Sequence, residues 1–559
     1  MMANLGLPPA LALFVGAFLM VVTRGVLRQA VMLIAPVAAL ALVWGTPDGA
    51  VITAHYLGYD LVLYRGDRLS RWFGTIFSLI AFAGALFALN QPNRLETTAA
   101  HTYAAGALGV VFAGDVLTLF VFWEVMALAS TLVVWSVGAK RAGMRYLILH
   151  LLGGVMLMTG LAGEVAASGS TAFAAMTPDS LARWLILSGF LVNAGAWPLS
   201  AWLPDAYPRA SFSGMVTLSA FTTKTAVFVL IVGFPGAKVL IGVGLCMVFY
   251  GIVYAILEND MRRILAYSIV NQVGFMVTGI GIGTELSLDG AASHAFVHII
   301  YKALLLMSAG SVLYVTGRSK CTELGGLFRS MPFTAVCGIV GALSISAFPL
   351  TSGFVTKSMI TEASGQQGLT LLWYLLTVAS AGVFLHAGIK FPWFVFFQRD
   401  SGLRPAEPPV NMRLAMALLA GACILFGVTP DLLYRHLPFG SVYAPYDAGH
   451  VVGQLQLLLF SGLAFFILLP ALRRTETITL DTDWLYRRLG AGVWTAVSCA
   501  ARLAWHNASL LVWTMLVRVR IELRQSLLDG KLPGAHSSST MATFTVAMLA
   551  IYLVVLLFF

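Results

Sequence analysis

The chain runs to 559 residues, of which 59% are hydrophobic and only 10% charged, at a mean hydropathy of +0.86. Soluble chains carry about 25% charged residues, so this composition excludes a soluble enzyme, a disulfide-framed secreted domain and a nucleic-acid binder. The formal charge of +10, from 34 Lys and Arg against 24 Asp and Glu, then reads as basic cytoplasmic loops rather than a nucleic-acid footprint.

Apolar runs long enough to cross a bilayer as helices recur at 7–23, 29–45 and 71–89, then over 101–137 as a pair split near Asp115. They continue at 146–167, 183–203, 211–233, 238–283, 289–315, 332–348, 370–397, 413–428, 452–471 and 541–559. Allowing for doublets in the longer runs, this predicts an all-α polytopic membrane protein of about 14–16 transmembrane helices. The runs are continuous rather than alternating, which argues against a β-barrel. The first run lacks a basic leading segment and is followed by further helices, so it reads as a span and not a cleavable signal.

Basic residues suggest a topology. Arg24 and Arg28 follow the first helix, and Lys140, Arg141 and Arg145 follow the fifth, whereas 168–181 has no Lys or Arg. An external N-terminus with odd-numbered helices exiting to the cytoplasm accommodates these facts. The three arginines in 65–71 fall on the wrong side. In the tail, 484–527 interleaves Trp484, Trp494, Trp505 and Trp513 with Arg487, Arg488, Arg502, Arg518, Arg520 and Arg524. That mixture favours a helix lying in the interface, the alternative being one more span near 494–516. A linker containing Gly530, Pro533, Gly534 and Ser537 to Ser539 precedes the last apolar run. The five cysteines show no C-x-x-C spacing, so no haem, iron–sulfur or zinc cofactor is expected.

Ionisable residues inside apolar runs carry the functional signal, because each costs roughly 2.5–3.5 kcal/mol at a helix centre and needs a partner, water or a purpose. Five places qualify: Glu124, with Asp115 nine positions earlier; Lys224; Arg262 and Arg263 after Asp260; His294, His298 and Lys302, spaced by four on one broad helix face; and Lys357. Lys224 follows Pro198, Pro204 and Pro208, and Lys357 follows Pro349 and Gly353. Broken helices at membrane depth are tolerated only where they line a watery cavity or are buried in protein, and two such breaks point to inverted repeats with ion sites at the breaks. The bland readings are static ion pairs, a helix cap for Asp115, snorkelling for Lys390 beside His386, and a metal pair at His294 and His298, for which no third ligand accompanies them.

At these residues the chain resembles a known family. The strings Gly114-Asp-Val-Leu-Thr-Leu-Phe-Val-Phe-Trp-Glu, Trp202-Leu-Pro-Asp-Ala, Arg263-Ile-Leu-Ala-Tyr-Ser and His298-Ile-Ile-Tyr-Lys-Ala-Leu-Leu are similar to the proton-conducting antiporter-like membrane subunits. These comprise the large membrane subunits of respiratory complex I and the Mrp-type multisubunit cation/proton antiporters. The likeness covers roughly residues 100–400. Leu385-His-Ala-Gly-Ile-Lys-Phe-Pro, His450-Val-Val-Gly-Gln-Leu and Asp483-Trp-Leu-Tyr-Arg-Arg resemble the D subunit of Mrp-type antiporters.

The resemblance implies two inverted five-helix repeats with broken helices. The organisation becomes N-terminal transmembrane helices over 1–99, a first repeat over 100–283, a second over 284–400, C-terminal transmembrane helices over 401–472, an amphipathic interfacial segment and linker over 473–540, and a final span over 541–559. It implies that Glu124 pairs with Lys224, that Lys357 is the lysine of the second broken helix, and that His294, His298 and Lys302 belong to the connecting helix. Arg262 departs from the family's usual lysine; a permanently protonated arginine biases its neighbours but passes no proton. The implied function is proton translocation in a multisubunit Na+ or K+/proton antiporter of the bacterial plasma membrane, with other membrane subunits as partners and no nucleic acid. The alternatives are the proton-pumping membrane arm of a complex I-like NADH dehydrogenase or hydrogenase, an inorganic-carbon uptake subunit, and a scaffold whose charges are structural.

Overall fold

A computed structural model describes residues 6–56, 58–472, 476, 480–528 and 538–558. Arg473, Arg474 and the linker residues Gly530, Pro533, Gly534 and Ser537 lie outside the described residues. The chain divides into two compact units, Met1–Asp483 and Trp484–Phe559.

In the first unit, helices α1 (Pro9–Val22) and α2 (Gly25–Gly45) lead to a hairpin of β1 (Gly49–Tyr56) and β2 (Tyr59–Gly66). Helices α3 (Arg68–Phe87), α4 (Arg94–Phe112), α5 (Val116–Trp135), α6 (Lys140–Ser168) and α7 (Leu181–Ala194) follow. A short turn α8 (Trp202–Ala206) precedes α9 (Gly214–Ala220), α10 (Thr222–Gly233), α11 (Val239–Leu257), α12 (Met261–Ile282) and α13 (Glu285–Thr316). Then come α14 (Pro332–Ile345), α15 (Ser352–Gln366), α16 (Thr370–Val383), α17 (Val410–Val428), α18 (Asp431–Tyr434) and α19 (Ala448–Ile467), with α16 extended by π turns over Phe384–Lys390 and Trp393–Phe397. Among the described residues eleven helices are long and apolar enough to cross a membrane, and four shorter apolar helices accompany them. The chain is a polytopic helical membrane protein.

Side-chain caps set the boundaries of the spans. Asp67 and Ser70 form a reciprocal capping box at α3, Asn93 caps α4 and Asp260 caps α12; each satisfies amides that a helix start leaves open. Asp115 accepts from the amides of Leu117 and Thr118 and from the Thr118 hydroxyl. It is a helix cap and takes no part in the buried charge line.

The core lies around α12 and α13. Every residue of α12 except Arg263 is buried, and α13, 32 residues long, spans about 48 Å at 1.5 Å per residue. An apolar-all-round helix of this kind belongs in the middle of a bundle, not at its lipid face. Asp289 near the start of α13 accepts the amides of Phe439 and Ser441, which fastens the loop after α18 over one end of the bundle.

The hairpin is the element that the sequence reading lacks. It pairs Gly49 with Gly66 and Tyr56 with Tyr59, and the Gly114 amide bonds the Val62 carbonyl at 2.9 Å. It therefore covers the same face as the turns at 113–115 and 171–173. Arg65, Arg68 and Arg71 are on this face, while Arg28, bonded to Thr97 and to the Arg94 carbonyl, is on the opposite one.

The second unit consists of α20 (Gly490–Leu528), an uninterrupted 39-residue helix preceded by a π turn at Leu485–Leu489, and α21 (Ser538–Phe558).

Candidate functional site

Two helix breaks organise the buried charges. At Phe221 (φ −104°, ψ −68°) the chain leaves α9 and restarts as α10. The break frees the Ser219 carbonyl, which accepts a hydrogen bond from Lys224 Nζ at 2.6 Å. Between α14 and α15, Ala347 and Leu350 adopt positive φ of 56° and 68°, conformations that L-residues take only under tertiary constraint. Gly353 lies against the Ser344 carbonyl so closely that a Cβ could not fit, which holds the restarted helix beside the old one. Lys357 follows one turn later. It is 2% exposed, its Nζ has no hydrogen-bond partner among the described residues, and it lies 4.4 Å from the centroid of the Phe275 ring, a cation–π position.

Helix α13 presents the middle of the line. His294 bonds Thr356 Oγ1 through Nδ1 and Gln272 Oε1 through Nε2, both at 3.1 Å, tying α13 to α15 and α12. One turn on, His298 is fully buried and neither ring nitrogen has a partner among the described residues. A further turn on, Lys302 Nζ donates to Ser268 Oγ at 2.7 Å. The His298 ring lies 6.2 Å from that of His294, and α13 packs against both α10 and α15, the helices that carry Lys224 and Lys357. The structure thus brings together five of the residues read from sequence: Lys224, His294, His298, Lys302 and Lys357. Among the described residues no carboxylate forms an ion pair with any of them. An array of buried bases without counterions cannot be fully charged, so the number of protons it holds is smaller than the number of sites.

Glu124 stands apart. It is half-buried, its Oε1 has no partner among the described residues, and it makes no ion pair with Lys224, whose amine is engaged by Ser219. The expected Glu124–Lys224 ion pair is therefore absent among the described residues: the Lys224 amine is on the Ser219 carbonyl and the Glu124 carboxylate lies against α6. Glu124 Oε1 packs onto Gly154 of α6, where any Cβ would collide with it. One turn earlier on α6, His150 bonds Asn193 at the end of α7 at 2.6 Å, leaving Nε2 unpartnered among the described residues. His150 also contacts the rings of Tyr146 and Trp202 at centroid distances of 4.1 and 4.7 Å.

Arg262 also has a different place from that expected. Its guanidinium donates to the carbonyls of Pro208 (3.0 Å), Ala210 (2.9 Å) and Ser211 (2.7 Å). The Asp260 carboxylate accepts from the amides of residues 262 and 263 and from the Ser319 hydroxyl and makes no ion pair with Arg262 among the described residues. Arg262 is a clamp on the 208–211 segment. That segment presents Ser211 and Ser213 to Glu96, whose Oε1 accepts from them at 2.6 and 2.7 Å and from Gln91 at 3.1 Å, while Ser136 donates to Oε2 at 3.2 Å. Arg263 pairs with Glu258 at 3.0 Å. Lys390 is buried with its amine on the carbonyls of Ala255, Ile256 and Glu258, so it caps the C-terminus of α11 and does not snorkel.

Sequence reasoning missed Glu96, His150 and Asn193. His150 sits within the 146–167 run and satisfies the same criterion that singled out Glu124, an ionisable residue among apolar ones. Glu96 had no such signal, because it precedes the run that begins at 101.

Comparison with known proteins agrees with this architecture. The family model described as NADH:quinone oxidoreductase/Mrp antiporter, TM, matches residues 113–383. An uncharacterized protein of Mycobacterium tuberculosis (strain ATCC 25618 / H37Rv) is 30% identical over 453 residues, covering 73% of this chain and 69% of that protein. The D subunit of a Na(+)/H(+) antiporter from Alkalihalophilus pseudofirmus (strain ATCC BAA-2126 / JCM 17055 / OF4) is 32% identical over 283 residues, 46% of this chain and 57% of that protein. Among solved structures, a chain of the Mrp complex from Dietzia sp. DQ12-45-1b superposes with a TM-score of 0.76 at 23% identity, over 92% of this chain and 62% of that one.

Proposed function

The chain belongs to the NADH:quinone oxidoreductase/Mrp antiporter transmembrane family, and from that premise we propose that it translocates protons as a membrane subunit of a multisubunit Na+ or K+/proton antiporter. The observation that carries the reading is the line of buried bases Lys224, His298, Lys302, His294 and Lys357 without a carboxylate partner among the described residues. Such a line exchanges protons readily, since a proton gained at one base is disfavoured at the next and moves on when a neighbour is neutral. His298, with both ring nitrogens unpartnered among the described residues, is the natural switch between the α10 side and the α15 side. Glu124 serves as a separate carboxylate on the α5–α6 side, next to His150, where it loads or unloads protons rather than holding Lys224. Arg262 positions the 208–211 segment and stays charged throughout.

A proton moving inward gains about 2.3 kcal/mol per 100 mV of membrane potential, enough to drive export of another cation when the two movements are coupled. The partners under this reading are the other membrane subunits of the assembly, in the bacterial plasma membrane. The second reading, the proton-pumping arm of a redox complex, is favoured by the family description itself, which names NADH:quinone oxidoreductase beside the antiporter. Proteoliposomes containing the intact assembly separate them: under an imposed proton gradient the antiporter moves 22Na+ or 86Rb+ without any electron donor, whereas the redox arm moves protons only when a donor is oxidised.

A further inference from the structure

Two of the three arginines that break the topology rule mark a cavity. Arg68 and Arg71 at the start of α3 and Arg435 and His436 after α18 line a space of about 320 Å3 on the hairpin face. Arg71 is anchored by Asp48 at 2.6 Å and by the Thr46 carbonyl. Arg68 and Arg435 make no ion pair and no side-chain hydrogen bond among the described residues. Two free guanidinium groups and an imidazole thus converge on one cavity. Of the nearby acids, Asp48 is engaged by Arg71 and Asp67 by the capping box of α3, and Asp431 on α18 forms no ion pair with Arg435 among the described residues. Guanidinium groups so placed match the oxygens of a phosphate.

The rest of the lining says what carries that phosphate. Trp44 and Trp72 border the cavity with Phe296 beneath; the Trp72 indole is fixed by a 3.0 Å bond to the Ala292 carbonyl, and His436 meets the Trp44 ring at 5.5 Å. Trp72 is buried, whereas Trp44 is exposed at the end of α2, as are tryptophans that sit at headgroup level. From Trp44 (55% exposed) an apolar stripe runs down α2 through Ala41 and Val37 (52%) to Ile34 (64%). That stretch of helix covers about 15 Å, the depth of one leaflet in a hydrocarbon core of about 30 Å. A free phosphate has no use for that stripe; an acyl chain does. We propose that this cavity binds the headgroup of an anionic phospholipid, with its chain along α2. Arg68 and Arg71 stand on the side that the topology rule disfavours in order to hold it, in the way that basic pockets between transmembrane helices on the cytoplasmic side hold anionic headgroups.

The test uses the full chain, delipidated in detergent and titrated with phosphatidylglycerol or phosphatidylcholine while adducts are counted by native mass spectrometry. Wild-type chain retains phosphatidylglycerol over phosphatidylcholine, and the Arg68→Gln/Arg435→Gln double variant binds phosphatidylglycerol about thirtyfold more weakly. Arg65→Gln, on β2 outside the cavity, leaves retention unchanged. Ile34→Gln with Val37→Gln weakens lipid binding while both arginines are intact. Unchanged retention in the double arginine variant overturns the proposal. So does displacement of the lipid by inorganic phosphate with no dependence on the α2 stripe, which makes the cavity a small-anion site, and so does an equal loss in Arg65→Gln, which makes the effect one of net charge.

Discussion

Removing the Arg262 guanidinium strands three backbone carbonyls, those of Pro208, Ala210 and Ser211, at a residue only 4% exposed. An unsatisfied buried group costs about 1–3 kcal/mol. With partial rehydration of the segment, Arg262→Ala should destabilise the chain by on the order of 4 kcal/mol. Lysine keeps the charge but is shorter and lacks the planar fork, so it reaches fewer of the three acceptors. Arg262→Lys should therefore fall between, at about 2 kcal/mol. The assay is unfolding of the purified chain in mixed detergent, alongside proton flux of the reconstituted assembly read by a pH-sensitive dye. Flux should fall in the same order, because the released 208–211 segment no longer holds Ser211 and Ser213 against Glu96. If Arg262→Lys matches wild type in both stability and flux, charge alone matters and the clamp is irrelevant. If Arg262→Ala lies within about 0.5 kcal/mol of wild type, the range of ordinary surface substitutions, the three hydrogen bonds contribute nothing and the reasoning fails.

Glu124→Ala should abolish ion-driven proton flux while the assembly still forms, since the carboxylate makes no bond that the fold depends on; normal flux in its vesicles would exclude it from the route. Gly154→Ala should displace the Glu124 carboxylate and reduce flux with the helices intact, whereas Gly163→Ala on the same helix should act through packing alone, and circular dichroism together with flux tells the two effects apart. Lys357→Met should leave stability unchanged or raise it, because it removes a buried amine with no hydrogen-bond partner among the described residues, and yet should stop flux. Cysteines introduced along α20 should label from one aqueous side only with helical periodicity if that segment lies in the interface; labelling of its two ends from opposite sides would establish a crossing.

The helices were legible because long apolar runs are a physical requirement of the bilayer; the predicted runs at 29–45, 71–89 and 238–283 differ from α2, α3 and the α11–α12 pair by a few residues. The hairpin was not legible in this way. Residues 49–66 hold two short apolar stretches, 50–52 and 61–64, separated by residues that include His55 and Asp60, and each is too short to register in a search for membrane-length hydrophobic runs. The buried line on α10, α13 and α15 could be read from ionisable residues in apolar surroundings, a signal that survives without any tertiary information. Partnerships could not. Which base faces which acid depends on how the side chains turn at the breaks, and the prolines at 198, 204 and 208 do not say that the Lys224 amine takes the Ser219 carbonyl while the Glu124 carboxylate lies against Gly154. Arg262 shows the same limit: its charge is visible in the sequence, but the three carbonyls it holds come from a segment more than fifty positions away.

The central claim, that protons pass through the uncompensated line of buried bases, is tested most directly at His298. Replacing it with phenylalanine keeps the ring volume and removes both nitrogens, neither of which has a partner to lose among the described residues. The account predicts an assembly of wild-type stability and composition whose cation-driven proton flux, followed by an entrapped pH-sensitive dye in proteoliposomes, falls to the level of protein-free vesicles. Wild-type flux through His298→Phe assemblies would contradict it.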